Sequence, residues 1–72
     1  MTPHEIARLQ AYLRAKFNLP QIRVVRRGET GDSVEVAIGD EFIGVIYKDE
    51  EEGEVSYAFH ISILEMDLPK DI

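Results

Sequence analysis

The chain has 72 residues, a formal net charge of −6 and no cysteine. This length predicts one domain over residues 1–72, which buries only about 60% of the surface that the unfolded chain exposes. Without cysteine, neither a disulfide nor a thiolate metal site can stabilise the fold. No apolar run approaches the roughly 20 residues of a membrane span, and no signal peptide is recognisable. We therefore expect a soluble, cytoplasmic domain of modest stability with no membrane contact.

The charge is distributed unevenly along the sequence. Residues 1–27 contain six Lys or Arg against one acid, a net charge of +5, whereas residues 28–72 contain two Lys against thirteen acids, a net charge of −11. A net acidic domain is a poor general binder of nucleic acid, because phosphate contacts supply most of the non-specific affinity. Either the two parts face each other, within the fold or between copies, or the first part forms a local basic surface.

The first predicted element is a helix over about residues 3–17. Thr2 and Glu5 have the spacing of a capping box, and Pro3 occupies the first helical position, where its missing N–H costs nothing. Asn18 can end the helix in the left-handed conformation. Four apolar residues recur at helical spacing and predict a stripe that faces a core. They are Ile6, Leu9, Leu13 and Phe17.

Four strands are predicted next, over about residues 21–27, 33–38, 41–48 and 54–64, with a loop over residues 28–32. Gly39-Asp40 predicts a two-residue hairpin turn that places Ile38 opposite Glu41. Regular alternation then gives the second and third strands one shared apolar face. Its residues are Val34, Val36, Ile43, Val45 and Tyr47. The predicted fold class is α+β: an N-terminal helix packed on one face of a four-stranded antiparallel meander (α-β-β-β-β), with a short C-terminal turn or tail.

The opposite face of the second and third strands is also predicted to be apolar. Its residues are Ala37, Phe42, Gly44 and Ile46. Because an antiparallel sheet commonly exposes one face to water, a second apolar patch indicates that something covers it. Either a second copy of the chain covers this candidate interface, or the apolar C-terminal segment folds back over it.

Residues that carry catalytic chemistry are sparse. His4 and His60 have no ligand-spaced partner, and no serine lies in a nucleophile elbow. Gly28 and Gly31 are too few for a phosphate-binding loop. We therefore expect no enzyme activity, no cofactor and no metal site.

Two charged groups are further binding candidates. The basic group, which could bind nucleic acid or another anionic ligand, consists of Arg14, Lys16, Arg23, Arg26 and Arg27. The acidic turn, which could bind a cation or a basic partner, consists of Asp49, Glu50, Glu51, Glu52 and Glu54. The acidic turn lacks calcium-loop spacing, and the strands lack the aromatic platform of an RNA-binding sheet. The sequence favours a solvated turn for the acidic residues, and a solvated face or a set of interface salt bridges for the basic group. It argues against nucleic acid as a partner.

Several stretches together carry a family resemblance. They are residues 2–13 (TPHEIARLQAYL), 22–25 (IRVV), 39–47 (GDEFIGVIY), 49–50 (DE) and 55–57 (VSY). They resemble a small alphaproteobacterial family of short cytosolic proteins classed only as a domain of unknown function. The resemblance covers nearly the whole chain and implies a stand-alone protein. It implies no activity, ligand or catalytic residue.

The function that these observations favour is a small non-enzymatic interaction or regulatory module. Its partner would be a second copy of the chain, as a homodimer, or another protein. The alternative is a binder of nucleic acid or another anionic ligand that uses the basic group. An enzyme is the third reading and has the least support.

Overall fold

The computed structural model describes residues 1–28 and 31–72 and has one helix lying on a four-stranded sheet. Helix α1 spans Pro3–Phe17, and strands β1 to β4 span Ile22–Arg26, Ser33–Ile38, Glu41–Asp49 and Ser56–Ile61. Short 3₁₀ turns occupy Glu51–Gly53 and Glu65–Asp67. Neighbouring strands are antiparallel and follow the order β1-β2-β3-β4. The predicted α+β meander is confirmed, and residues 29–30 of the predicted loop lie outside the described residues. None of the described helices is long and apolar enough to cross a bilayer.

Both ends of α1 are stabilised as predicted. The Thr2 N–H donates to Glu5 Oε1 at 2.9 Å, and the Glu5 N–H donates to Thr2 Oγ1 at 3.1 Å, which completes the capping box. Asn18 has a φ of 51°, in the left-handed region, and the Leu19 N–H donates to the Arg14 carbonyl at 3.0 Å. The helix therefore begins and ends where its own sequence provides partners for its free backbone groups.

The core lies between α1 and the sheet face beneath it. Its buried residues are Leu13, Ile22, Val24, Val34, Val36 and Ile46. Leu13 is the buried residue of the helix, whereas Ile6 and Leu9 are partly buried against the core. The predicted helical stripe is wrong at its end, because Phe17, one turn beyond Leu13, is 54% exposed.

An extra residue in β3 changes the face on which its later residues lie. The hairpin register begins as predicted, and Ala37 lies opposite Phe42. The next pair is Val36 with Gly44, so Ile43 is the additional residue of a β-bulge. Ile43 packs against the core, and from Gly44 onward the alternation of β3 is inverted relative to a regular strand.

This inversion corrects the predicted faces. Val34 pairs with Ile46, which is only 2% exposed and belongs to the core. Val45 and Tyr47, expected beside Val34, lie on the opposite face, which we call the outer face. The cause is the bulge, because one extra residue moves every later side chain to the other side of the sheet.

Strand β4 is shorter than predicted, and its residues alternate between the two faces of the sheet. Tyr57, Phe59 and Ile61 lie on the helix side of the sheet, because Phe59 pairs with Ile46 and Ile61 with Gly44. A Cβ at Gly44 would overlap the His60 carbonyl oxygen and lie 2.8 Å from Phe59 Cε1. Glycine therefore allows β4 to approach β3 next to the bulge.

Leu13→Ala should destabilise the domain by about 2–5 kcal/mol, because it leaves a cavity in the core. Phe17→Ala, at an exposed position of the same helix, should change stability by less than about 0.5 kcal/mol. Urea unfolding followed by circular dichroism measures both. Equal effects of the two substitutions would contradict the packing described here.

Gly44→Ala should weaken the pairing of β3 with β4, because the added methyl group meets the His60 carbonyl and the Phe59 ring. We expect lower stability in urea and faster amide exchange in β4 than in β1. Ala37→Gly, on the neighbouring strand, serves as the control for a general loss of stability. Unchanged exchange in β4 would contradict this prediction, because it would show that the added methyl group does not weaken the pairing of β3 with β4.

Candidate functional site

A cluster of polar side chains joins the start of α1 to the sheet. Glu5, in the first turn, accepts from the Lys48 ammonium at 2.6 Å and from the Tyr57 hydroxyl at 2.8 Å, both through Oε2. Lys48 also pairs with Glu50 at 3.0 Å. The side chains of Glu5 and Lys48 are 14% and 16% exposed. This cluster ties the helix to the cross-strand pair formed by Lys48 of β3 and Tyr57 of β4.

The hydrogen bonds of this cluster shift the acidity of its members. The bond from Lys48, with those from the Thr2 N–H and Tyr57, lowers the pKa of Glu5 from 4.5 to about 2. The bonds to Glu5 and then Glu50 raise the pKa of Lys48, and the bond to Glu5 raises the pKa of Tyr57. Each shift favours the charge state that holds the cluster together. The cluster is therefore a group of paired charges that attaches the helix to the sheet.

A groove opens beside this cluster, between α1 and the helix side of β4. Its volume is about 400 Å³, and its floor and walls include Leu9, Leu13 and Phe59. Tyr12 and Arg8 lie on the helical wall, and Tyr12 is 59% exposed. The groove exists because α1 packs mainly on β1 and leaves the β4 side of the sheet partly uncovered.

The two edges of the sheet differ in their backbone partners. On β1, the Val24 N–H donates to Gln10 Oε1 at 3.0 Å, and the Ile22 carbonyl accepts from Arg14 Nε at 2.7 Å. Side chains of α1 therefore bond to the edge of β1 that faces away from β2. Among residues 1–28 and 31–72, the backbone of β4 bonds only to β3. We call the unpaired side of β4 the open edge.

The sequence around the open edge lacks the usual protection against strand pairing. Residues 55–64 (VSYAFHISIL) contain no Asp, Glu, Lys, Arg or Pro. Edge strands are normally protected by charges, proline, a bulge or a covering element. The combination of an open edge, an uncharged strand and an adjacent apolar groove is suited to the addition of another chain segment.

The four residues predicted to form the apolar interface do not all lie on one face of the sheet. Phe42 is 55% exposed on the outer face, and Ala37 pairs with it but is 9% exposed. Gly44 and Ile46 are buried on the helix side, because the bulge inverts β3. The outer face instead gains Val45 and Tyr47, and the corrected apolar members of this face are Val25, Ala37, Phe42, Val45 and Tyr47.

Residues 62–72 do not cover the outer face fully. Ile63 and Leu64 border a second depression beside Phe42. Phe42 nevertheless stays 55% exposed, and Ile63 and Leu64 are themselves 71% and 55% exposed.

The basic group does not form one surface. Arg23 donates to the Gly39 carbonyl at 3.0 Å on the outer face, whereas Arg14 is bonded to Ile22 at the edge of β1. Arg26 pairs with Val34 at the end of the helix side, and Arg27 lies 3.9 Å from Glu35. Lys16 is exposed on α1. The basic residues are therefore distributed over both faces of the sheet, the edge of β1 and α1.

The acidic turn is exposed and organised by its own backbone. Asp49 Oδ1 accepts from the Glu51 N–H at 2.9 Å, and Glu52 has a φ of 58°. Glu51 and Glu54 are exposed like their neighbours, and Glu50 pairs with Lys48. Within the described part of the chain, no three His, Cys, Asp or Glu residues are placed to hold a metal ion.

The two histidines are both exposed, at opposite parts of the fold. His4 lies in the first turn of α1. His60 lies on the outer face, where its ring meets Tyr47 edge to face, with centroids 5.4 Å apart.

A comparison with known protein families assigns the chain to one of them. The family model described as "Protein of unknown function (DUF3126)" matches residues 5–67. The chain belongs to this family. The match confirms the resemblance to a family of unknown function and spans the cluster, the groove and the open edge. No curated protein matches the chain, and no solved structure matches it.

Sequence reasoning missed both the cluster and the groove. It assigned Glu5 to the capping box alone, and it placed Tyr47 beside Val34, which implies the opposite face for Lys48. The bulge that brings Lys48 to the helix side has one local signal, the glycine at position 44 within a strand.

The paired cluster makes stability depend on acidity. Because the pKa of Glu5 is lower in the folded state, its contribution is complete above pH 4.5 and is lost as the pH falls towards about 2. Glu5→Gln should therefore flatten the fall in the urea midpoint between these values. Glu54→Gln removes an exposed carboxylate and should leave the fall in place. A steep fall that persists in Glu5→Gln would assign it to other carboxylates.

Proposed function

We propose that the protein is a non-enzymatic interaction module that associates with a second copy of itself through the open edge of β4. The observation that carries this proposal is the contrast between the two sheet edges. Gln10 and Arg14 bond to the backbone of β1 along the edge that faces away from β2. The ten residues 55–64, which include β4, contain no Asp, Glu, Lys or Arg.

The physical reason is the cost of unpaired strands and exposed apolar surface. An edge with free N–H and C=O groups forms a ladder with any compatible segment, and an uncharged segment does not repel it. A domain of this size also buries a small fraction of its surface and gains most from association. A second copy supplies both a strand and apolar area, and closed two-fold pairing limits the assembly.

Anion binding has weaker support than self-association. Three of the five basic residues already face carbonyl or carboxylate oxygens of the same chain, namely Arg14, Arg23 and Arg27. A phosphate or carboxylate ligand would have to displace these contacts. Anion binding is therefore an outcome to test only if association is absent.

Ala58→Glu should weaken self-association, because Ala58 is exposed on β4 and a carboxylate there repels a copy with a net charge of −6. We expect light scattering across a dilution series to give a dimer mass for the unmodified chain. The dissociation constant should rise about tenfold or more in Ala58→Glu, equivalent to about 1.4 kcal/mol.

Ala7→Glu is the matched control, because it makes the same change at an exposed position of α1 outside the groove. Its dissociation constant should stay within about twofold of the unmodified chain. A monomer mass at every concentration would refute the proposal. A dimer that Ala58→Glu leaves intact would move the contact away from β4.

A further inference from the structure

We propose that residues 62–72 of a second copy fill the groove between α1 and β4, as a strand added to the open edge. This inference rests on the self-association proposed above and names the segment that the open edge receives. Exchange would be reciprocal, so that each copy gives its segment to the groove of the other.

The apolar side chains of residues 62–72 are unburied in their own copy. Met66 is 81% exposed, Leu68 is 52% exposed and Leu64 is 55% exposed. The molecule is correspondingly elongated, with extents of 45 × 25 × 24 Å and a radius of gyration of 13.7 Å. A compact chain of this length has a radius of gyration of about 11 Å. These side chains gain burial only when another surface receives them.

The segment has the periodicity of a strand. Leu64, Met66 and Leu68 alternate with Glu65 and Asp67, so an extended backbone would place all three apolar side chains on one face and both acids on the other. The observed 3₁₀ turn covers only Glu65–Asp67 and has no side-chain cap, so few interactions oppose its extension. Pro69 then limits the length of the added strand.

The groove is complementary to that apolar face. A strand paired with β4 continues the sheet, so its helix-side residues would lie against Leu9, Tyr12 and Phe59 of the groove. Glu65 and Asp67 would then lie on the outer face of the sheet. The groove's volume of about 400 Å³ lies within the range of ligand-binding clefts, about 300–1,000 Å³.

The arrangement of charges is also compatible with this exchange. Residues 62–72 carry three acids against Lys70, a net charge of −2. The helix that walls the groove carries Arg8 near its middle, and Lys48 already neutralises Glu5. With Glu65 and Asp67 on the outer face, neither carboxylate would be buried in the groove or lie against Glu5.

A second copy is favoured over the segment's own groove by the sequence of the connection. To pair with its own β4, the segment would have to reverse direction within residues 62–64 (SIL) directly after Ile61. These residues include no Gly, Asn, Asp or Pro, which tight reversals require. The chain therefore continues away from its own edge and reaches the edge of another copy.

Three variants of the full chain test the exchange by light scattering in a dilution series. Met66→Glu alters the donated segment, and Tyr12→Glu alters the groove wall; both residues are more than half exposed. Each should raise the dimer dissociation constant about tenfold or more. Phe17→Glu makes the same kind of change on the same helix, at a residue that is 54% exposed and outside the groove. It should leave the constant within about twofold.

Mixing the two weakened variants separates exchange from a general effect of charge. A heterodimer of Met66→Glu with Tyr12→Glu keeps one intact segment in one intact groove, whereas each variant alone keeps none. The equimolar mixture should therefore contain more dimer than either variant alone at the same total concentration. Circular dichroism should show the same helix and strand content in all variants.

The outcomes distinguish this inference from the proposed function. A dimer that neither Met66→Glu nor Tyr12→Glu weakens would overturn the exchange and leave self-association standing. The same holds if the mixture contains no more dimer than the separate variants. A lower stability of Met66→Glu without any change in mass would place the segment in its own groove and also overturn exchange. A monomer at all concentrations would refute the proposed function and the inference together.

Discussion

The bulge at Ile43 sets the face on which every later residue of β3 lies. It brings Ile46 into the core beside Val34 and places Lys48 on the same side as Tyr57. Glu5 can then receive both side chains, so the attachment of the start of α1 to the sheet depends on one extra residue in a strand. Gly44, next to the bulge, lets β4 approach at that point. The helix, the core and the last strand are thus linked through a few residues of β3.

The placement of the helix explains why the sheet has two different edges. The contacts of α1 are mainly with β1, where Gln10 and Arg14 bond to the strand backbone. A single short helix spans only part of a four-stranded sheet, because a helix with its side chains is about 10 Å wide. The β4 side is held by the Glu5 cluster at one end and is left open as a groove along Leu9 and Phe59. The groove and the open edge are therefore consequences of the small number of elements.

Few of the charges in residues 1–27 pair with opposite charges in the rest of the described chain. Glu5, the one acid of residues 1–27, pairs with Lys48, one of the two lysines of the acidic remainder. Two of the three minority charges therefore pair with each other across the two parts. In the described part of the chain, the majority charges meet only in the long contact between Arg27 and Glu35. Most of the opposite charge thus stays on the surface, where it influences association more than folding.

The sequence by itself determined the local elements of this protein. The capping box at Thr2, the left-handed end at Asn18 and the turn at Gly39-Asp40 each depend on residues a few positions apart, so their chemistry can be recognised in the linear chain. The alternation of β4 is equally local. Tertiary structure alone decided the faces of β3, because the bulge depends on how β2 and β4 pack against it. The groove, the contrast between the two edges and the Glu5 cluster follow from where α1 lies on the sheet, and long-range packing fixes that position.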